Sequence, residues 1–266
     1  MRLDIELVNR RLFPSRQKAK EAVTEGCIKV NSKICIKPSF EVKPDDKIDI
    51  YGDTLSYVGR GGLKLEKIAD KAKLSFEGKT CMDIGASTGG FTDFMLQRGA
   101  EYVYAVDVGS DQLNSKLKEN KRVCNMEKTD IRNIMKSSLN RKIDFISIDV
   151  SFISLKLILP KAFELLEQGA MAAVLIKPQF EAGKQNIGKN GIVRSPKIHE
   201  KILYDIINFT ASLGFGIINL DYSPITGGSG NIEYLLLIKK ENSSLLIDIN
   251  KTVKEAFENL KNGGKV

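Results

Sequence analysis

Four charged residues are spaced as if to meet in one place: Lys64, Asp149, Lys177 and Glu233. Lys64 opens a helix after a glycine-rich turn, Asp149 and Lys177 end two apolar runs, and Glu233 begins the last one. In an open α/β sheet the strand ends form a rim where ligands bind. Two lysines among two carboxylates suit methyl transfer to a sugar hydroxyl, which must share or lose its proton as it attacks. Lys177 could donate a hydrogen bond that favours the alkoxide, or act as the base if neighbouring Lys64 disfavours its charged form. The sequence leaves both roles open, and Asp149 and Glu233 would hold the lysines charged and oriented.

A second constellation lies upstream, in Asp83-Ile84-Gly85-Ala86-Ser87-Thr88-Gly89-Gly90-Phe91, which reads as a strand, a turn and a helix start. Gly85, Gly89 and Gly90 do not reproduce the G-x-G-x-x-G dinucleotide spacing, which disfavours a nicotinamide cofactor. Asp83 would repel a pyrophosphate but suits the cationic methionine end of S-adenosylmethionine. Asp107 ends the next strand and can accept from two ribose hydroxyls, and Asp130 follows a third possible strand, placed for the adenine amino group. The expected cofactor is therefore S-adenosylmethionine, held by the 83–91 loop, Asp107 and Asp130. No metal is expected, because the chain has one histidine, His199, and four cysteines without a C-x-x-C pair. The same scarcity of histidine disfavours Ser/His/Asp catalysis. Its charged flanks, after a Ser195 cap and a first-turn Pro196, read His199 as a solvated helix residue.

The elements that must carry these residues follow a βαβ rhythm: strands at 81–85, 102–107, 123–126, 145–149, 172–177, 216–220 and 234–238, with a helix at 91–97. Strands apolar on both faces belong to a parallel sheet covered by helices. The fold class is thus α/β, a Rossmann-like, mostly parallel seven-stranded sheet, with a small α+β module before it. In that module Leu3, Leu7, Val8 and Leu12 form a helical stripe, and Ser15 caps a second helix that ends at Gly26. Ile28 and Val30 then alternate with polar residues up to an Asn31-Ser32 turn. The expected division is 1–56 for the basic module, 57–63 for a linker and 64–266 for the large domain.

Forty-one basic residues against 33 acids give a net charge of +8 and a pI near 9.1, which favours a polyanionic partner. Arg10, Arg11, Arg16, Lys18 and Lys20 line the first two helices, and Arg60 lies in the connector. The longest apolar stretch near the centre, 170–176, is far short of a membrane span. Acids at Asp4 and Glu6 break the apolar segment an export signal needs, and four sparse cysteines read as reduced thiols, so a cytoplasmic location is expected.

The runs Leu12-Phe13-Pro14-Ser15-Arg16-Gln17-Lys18-Ala19, Gly26-Cys27-Ile28-Lys29-Val30-Asn31 and Val42-Lys43-Pro44-Asp45-Asp46 resemble the S-four-type RNA-binding domain. That resemblance implies phosphate contacts from the basic helices. Across nearly the whole chain the sequence closely resembles the TlyA family of ribosomal RNA 2′-O-methyltransferases, historically called haemolysins, whose catalytic domain is similar to the FtsJ methyltransferases. The carriers are Arg60-Gly61-Gly62-Leu63-Lys64-Leu65, the 83–93 run, Asp149-Val150-Ser151-Phe152-Ile153-Ser154, Lys177-Pro178-Gln179-Phe180-Glu181 and Gly230-Asn231-Ile232-Glu233-Tyr234. The resemblance implies a class I methyltransferase domain, a Lys-Asp-Lys-Glu tetrad at Lys64, Asp149, Lys177 and Glu233, and a cytidine ribose in ribosomal RNA or ribosomal subunits as the target. One departure is Gly59, where the family usually has Ser, which bears on the linker. The rival readings are an RNA-binding protein with an inactive methyltransferase fold and a membrane-active haemolysin. A base methyltransferase would need an Asn-Pro-Pro-Tyr-type loop or a placed cysteine, and the sequence shows neither.

Overall fold

A computed structural model describes residues 1–13, 15–24, 26–50, 57–242 and 245–262 of the chain. Residues 51–56, the end of the expected basic module, and residues 263–266 lie outside these residues, as does the side chain of Lys18. The chain forms two compact units, Met1–Arg60 and Gly61–Val266.

In the first unit, helices α1 (Leu3–Asn9) and α2 (Arg16–Thr24) pack against strands β1 (Ile28–Val30), β2 (Lys33–Ile34) and β3 (Ile48–Ile50) in the antiparallel order β2-β1-β3. The core is Leu3, Leu7, Ala19, Val23, Ile28, Val30 and Val42. Asn31 and Ser32 both take positive φ, 50° and 68°, the left-handed pair that a tight hairpin needs to match strand twist. The expected stripe is shortened, because α1 stops at Asn9 and Arg11 enters the left-handed region at φ 57°. Leu12 is consequently an exposed residue.

The second unit runs α3 (Gly61–Lys71), β4 (Thr80–Ile84), α4 (Gly90–Gln97), β5 (Tyr102–Val106), α5 (Ser115–Lys118), β6 (Val123–Met126), β7 (Ile143–Ile148), α6 (Leu159–Leu165) and β8 (Leu166–Ile176). Then come α7 (Pro178–Glu181), α8 (Pro196–Ser212), β9 (Gly216–Tyr222), β10 (Tyr234–Lys239) and α9 (Ile249–Asn262). The 57–63 stretch therefore already includes the first turn of a helix. On α3, Leu65, Ile68 and Ala69 fall at helical spacing and are buried.

The seven-stranded sheet has the order β6-β5-β4-β7-β8-β10-β9. Strand β4 pairs in parallel with β5 on one side and with β7 on the other, which makes its carboxyl end the switch point of the sheet. The sheet is mostly parallel, as expected, with one reversed strand: β10 inserts between β8 and β9 and is antiparallel to both. This reversal sets Tyr234 opposite Ile176. The residue before β10 thereby lies beside the residue after β8.

His199 also departs from expectation. It is fully buried on α8, with Nδ1 2.8 Å from the Tyr234 hydroxyl and Nε2 2.9 Å from the Val193 carbonyl. A carbonyl can only accept, so Nε2 donates to it. Ser195 makes no side-chain cap bond to α8, whose first turn begins with Pro196.

Candidate active site

The four charged residues of the rim come together by four routes. Lys64 stands in the first turn of α3, Asp149 follows β7, Lys177 follows β8, and Glu233 precedes the reversed β10. Lys64 Nζ donates to Glu233 Oε2 at 2.7 Å and lies 3.8 Å from Asp149 Oδ2, and Lys177 Nζ lies 2.6 Å from Asp149 Oδ1. The result is an unbroken chain of alternating charge, Glu233, Lys64, Asp149, Lys177. Lys64 and Glu233 are buried, while the side chains of Asp149 and Lys177 keep 20% and 11% exposure. Gly227 makes room for this cluster, since a Cβ there would collide with the Glu233 carboxylate.

Lys177 Nζ and Asp149 Oδ1 form a close ion pair, and no hydrogen bond to this buried oxygen is found among the described residues. Lys177 instead directs a hydrogen bond of 2.9 Å to Ser151 Oγ.

Beside the cluster, at the ends of β4, β5 and β7, lies a pocket of about 500 Å³, a size that holds a drug-sized ligand. Gly85, Ser87, Asp107, Asp130 and Asp149 line it. Gly85 sits at φ +85°, and a Cβ on it would strike the Asp149 carbonyl, so the glycine brings the ends of β4 and β7 together. Asp107 Oδ2 accepts from Ser87 N at 2.8 Å and Oδ1 from Gly109 N at 2.7 Å. Each oxygen keeps a further lone pair. Asp130 faces the pocket already paired, its carboxylate receiving the Arg132 guanidinium at 2.6 Å and the Arg132 amide at 2.9 Å.

Several residues expected at the cofactor do not line this pocket. Asp83 is fully buried, with Oδ2 accepting from the Thr92 amide and hydroxyl at 2.9 and 2.7 Å and Oδ1 from Ser147 Oγ at 3.0 Å. Burial pushes its carboxyl up to about 7, against the hydrogen bonds of Thr92 and Ser147. It anchors the first turn of α4 to β7. Ala86, Gly90 and Phe91 are buried, Gly89 precedes α4, and the Thr88 carbonyl accepts from Asn114 N.

Three residues not among the expected site residues stand at the site: Ser151, Phe152 and Gln112 all line the pocket. Phe152 is 90% exposed and holds φ +64°, a rare conformation for a bulky side chain. Its ring meets that of Phe180 at 4.9 Å. Ser151 and Phe152 belong to the same 149–154 run as Asp149, so a signal is present in the sequence, but chemistry attaches it to the acid alone.

In the first unit, two of the expected RNA-binding residues are already engaged within the fold. Arg10 pairs with Glu6 at 2.8 Å and donates to the carbonyls of Asp46 and Pro44, each at 3.0 Å. Arg16 pairs with buried Asp4 at 2.9 Å. Arg11 is exposed, and Lys20 and Arg60 are half-buried.

The switch-point pocket next to a charged rim, on an open sheet with one reversed strand, defines a Rossmann-like domain with a ligand-sized pocket at its switch point. Residues 57–240 match the FtsJ-like methyltransferase family and residues 1–48 match the S4 domain. The chain belongs to the FtsJ-like methyltransferase family, in the branch that contains TlyA and its hemolysin-named relatives. It is 45% identical to YqxC of Bacillus subtilis over 98% of this chain and 95% of the relative. It is 34% identical to the 16S/23S rRNA (cytidine-2'-O)-methyltransferase TlyA of Mycobacterium tuberculosis, over 92% of each chain. A solved hemolysin-named structure from Streptococcus thermophilus matches with a TM-score of 0.79 and 43% identity, over 98% of this chain and 97% of that one. Family membership makes the protein an RNA methyltransferase and implies S-adenosylmethionine as methyl donor. Among the described residues, no helix is long and apolar enough to cross a membrane.

Proposed function

We propose that the protein methylates the 2′-hydroxyl of a cytidine ribose in ribosomal RNA, with S-adenosylmethionine bound in the switch-point pocket. The observation that carries this reading is the chain Glu233–Lys64–Asp149–Lys177 at the edge of that pocket.

The residues present fit the cofactor. Asp107 offers spare lone pairs for the ribose hydroxyls, and Val108, Ile131 and Ile153 offer apolar walls for the adenine. Asp130 would reach the adenine amino group only with an oxygen it already shares with Arg132. Asp83 acts indirectly, by fixing the loop between β4 and α4. When bound, the cofactor supplies an electrophilic methyl group on a sulfonium.

On the acceptor side, Lys177 presents a positive charge to the ribose oxygen and favours alkoxide character as that oxygen attacks; the O–CH3 bond forms as the S–CH3 bond breaks, and the hydroxyl proton passes to solvent water. Asp149 holds this lysine in place, and the Lys64–Glu233 pair holds Asp149 from the other side. Residues 1–56 are assigned to RNA binding, 57–63 to the connection and 64–266 to chemistry. Arg11, Lys20 and Arg60 are the better candidates for phosphate contacts, since Arg10 and Arg16 are committed to Glu6 and Asp4.

The test is incubation of unmodified ribosomal RNA or subunits with the protein and labelled S-adenosylmethionine, followed by nucleoside mass analysis. Labelled 2′-O-methylcytidine is expected. A labelled base with an unmodified ribose would exclude the reading.

A further inference from the structure

The segments that follow β7 and β8 are laced together at successive positions. Lys177 Nζ bonds Ser151 Oγ at 2.9 Å, the Phe152 and Phe180 rings meet at 4.9 Å, and Glu181 accepts from Ser154 Oγ at 2.7 Å and from Leu155 N at 2.8 Å. Between the first and last of these rungs, Phe152 holds a left-handed backbone at φ +64°. Such a conformation persists in a bulky residue only where the surroundings hold it, and it recurs at functional sites. Glu181 is the part-buried anchor on the far side, and burial pushes its carboxyl up, against the hydrogen bonds of Leu155 and Ser154.

An ion pair fixes where a charge sits, whereas a hydrogen bond also fixes which way its N–H groups point. For Lys177 the two roles are divided. Asp149 Oδ1 lies 2.6 Å away without a hydrogen bond, and the directed bond goes to Ser151. Among the described residues, these two and the more distant Phe180 ring at 6.0 Å are the polar and π groups around its ammonium. Ser151 itself lines the pocket, beside Asp149 and Phe152.

We propose that Ser151 is a positioning residue for methyl transfer: its hydroxyl accepts one N–H of Lys177 and so turns the remaining donors toward the acceptor hydroxyl. Glu181 holds the loop in the shape that presents Ser151. This inference rests on the proposed role of Lys177 at the ribose oxygen, and its test separates the two.

The experiment compares full-length wild type, Ser151→Ala, Ser151→Thr, Glu181→Gln, Lys177→Ala and the Ser151→Ala/Lys177→Ala double variant. Single-turnover methyl transfer to ribosomal RNA is measured beside calorimetric affinity for S-adenosylmethionine and the melting temperature. Ser151→Ala should slow transfer about tenfold, as expected for one hydrogen bond to a charged group, with melting and cofactor affinity unchanged. Ser151→Thr should recover most of the rate, and Glu181→Gln should lose less than Ser151→Ala. On the residual rate of Lys177→Ala, removing Ser151 should have no further effect, because the two act as a unit.

A wild-type rate for Ser151→Ala beside a crippled Lys177→Ala would overturn this inference alone. An equal loss in both backgrounds, or a loss that tracks cofactor affinity or melting, would also overturn it. Full turnover by Lys177→Ala would instead remove the reading on which it rests.

Discussion

Each unit contains an acid between two cations, and the two clusters are built to different standards. Asp4 in the small unit is fully buried, and its carboxylate takes the Arg2 guanidinium in a fork at 3.0 and 3.1 Å and Arg16 at 2.9 Å. Asp149 in the large unit lies between Lys177 at 2.6 Å and Lys64 at 3.8 Å, with its Oδ1 lacking a hydrogen bond among the described residues and its side chain 20% exposed. Guanidinium forks match a carboxylate in two directions and leave little over, whereas ammonium groups are point charges that keep donors free. The first cluster holds a fold of small core. The second keeps capacity for a group that arrives from the pocket. Charge density alone does not mark a site; unspent hydrogen-bonding capacity beside a cavity does.

That contrast is sharpened first by removing a cation from the open cluster. Lys177→Ala should lower the single-turnover methyl-transfer rate by roughly 10²- to 10⁴-fold, while S-adenosylmethionine affinity, read by calorimetry, stays near wild type. Next in size is the pocket itself. Asp107→Ala should weaken cofactor binding by roughly 1.5 to 3 kcal/mol for each charged hydrogen bond removed. Because Asp107 also holds Ser87 N and Gly109 N, the same variant should raise hydrogen exchange at those two amides.

The closed cluster should answer in stability and not in chemistry. The Arg2 hydrogen bond, aided by Arg16 and opposed by burial, lowers the Asp4 carboxyl from 3.8 to about 2. A depressed folded value means stability that is fully present above about pH 4 and lost as pH falls through about 2. Asp4→Asn should therefore cost roughly 2 kcal/mol at neutral pH, seen in denaturant unfolding followed by a probe in residues 1–50. Its transfer rate on saturating RNA should match wild type; a slower rate would break the division between the clusters. Smallest is the effect of the exposed cations. Neutralising Arg11 and Lys20 should flatten log affinity against log salt by roughly 0.7 to 0.9 for each phosphate no longer neutralised.

Much of this is legible in the chain. Apolar runs punctuated by turns mark the strands, and Lys64, Asp149, Lys177 and Glu233 stand out because charged residues at element ends converge in an open sheet. The reversal of β10 is not legible, since a strand buried on both faces reads alike in either direction. His199 reads as solvated because its local flanks are charged, while Tyr234 and the Val193 carbonyl that bury it are tertiary partners. Asp83 shows the same limit: its position invites a ligand role, but Thr92 and Ser147 use its oxygens. Arg16 reads as a phosphate contact because nothing near it in sequence announces that Asp4 is buried. Ser151 is hidden by its ordinariness, and only its hydrogen bond with Lys177, a tertiary contact, gives it a task.

The most direct test of the central claim, that the rim chemistry acts on a ribose hydroxyl, uses the chemistry of RNA itself. A 2′-O-methyl group removes the nucleophile that alkali needs to cleave the adjacent phosphodiester. Ribosomal RNA methylated by the protein with labelled S-adenosylmethionine should release its label in alkali-resistant dinucleotides, and Lys177→Ala should leave those fractions empty. Label recovered in mononucleotides would place the methyl group on a base and contradict the account.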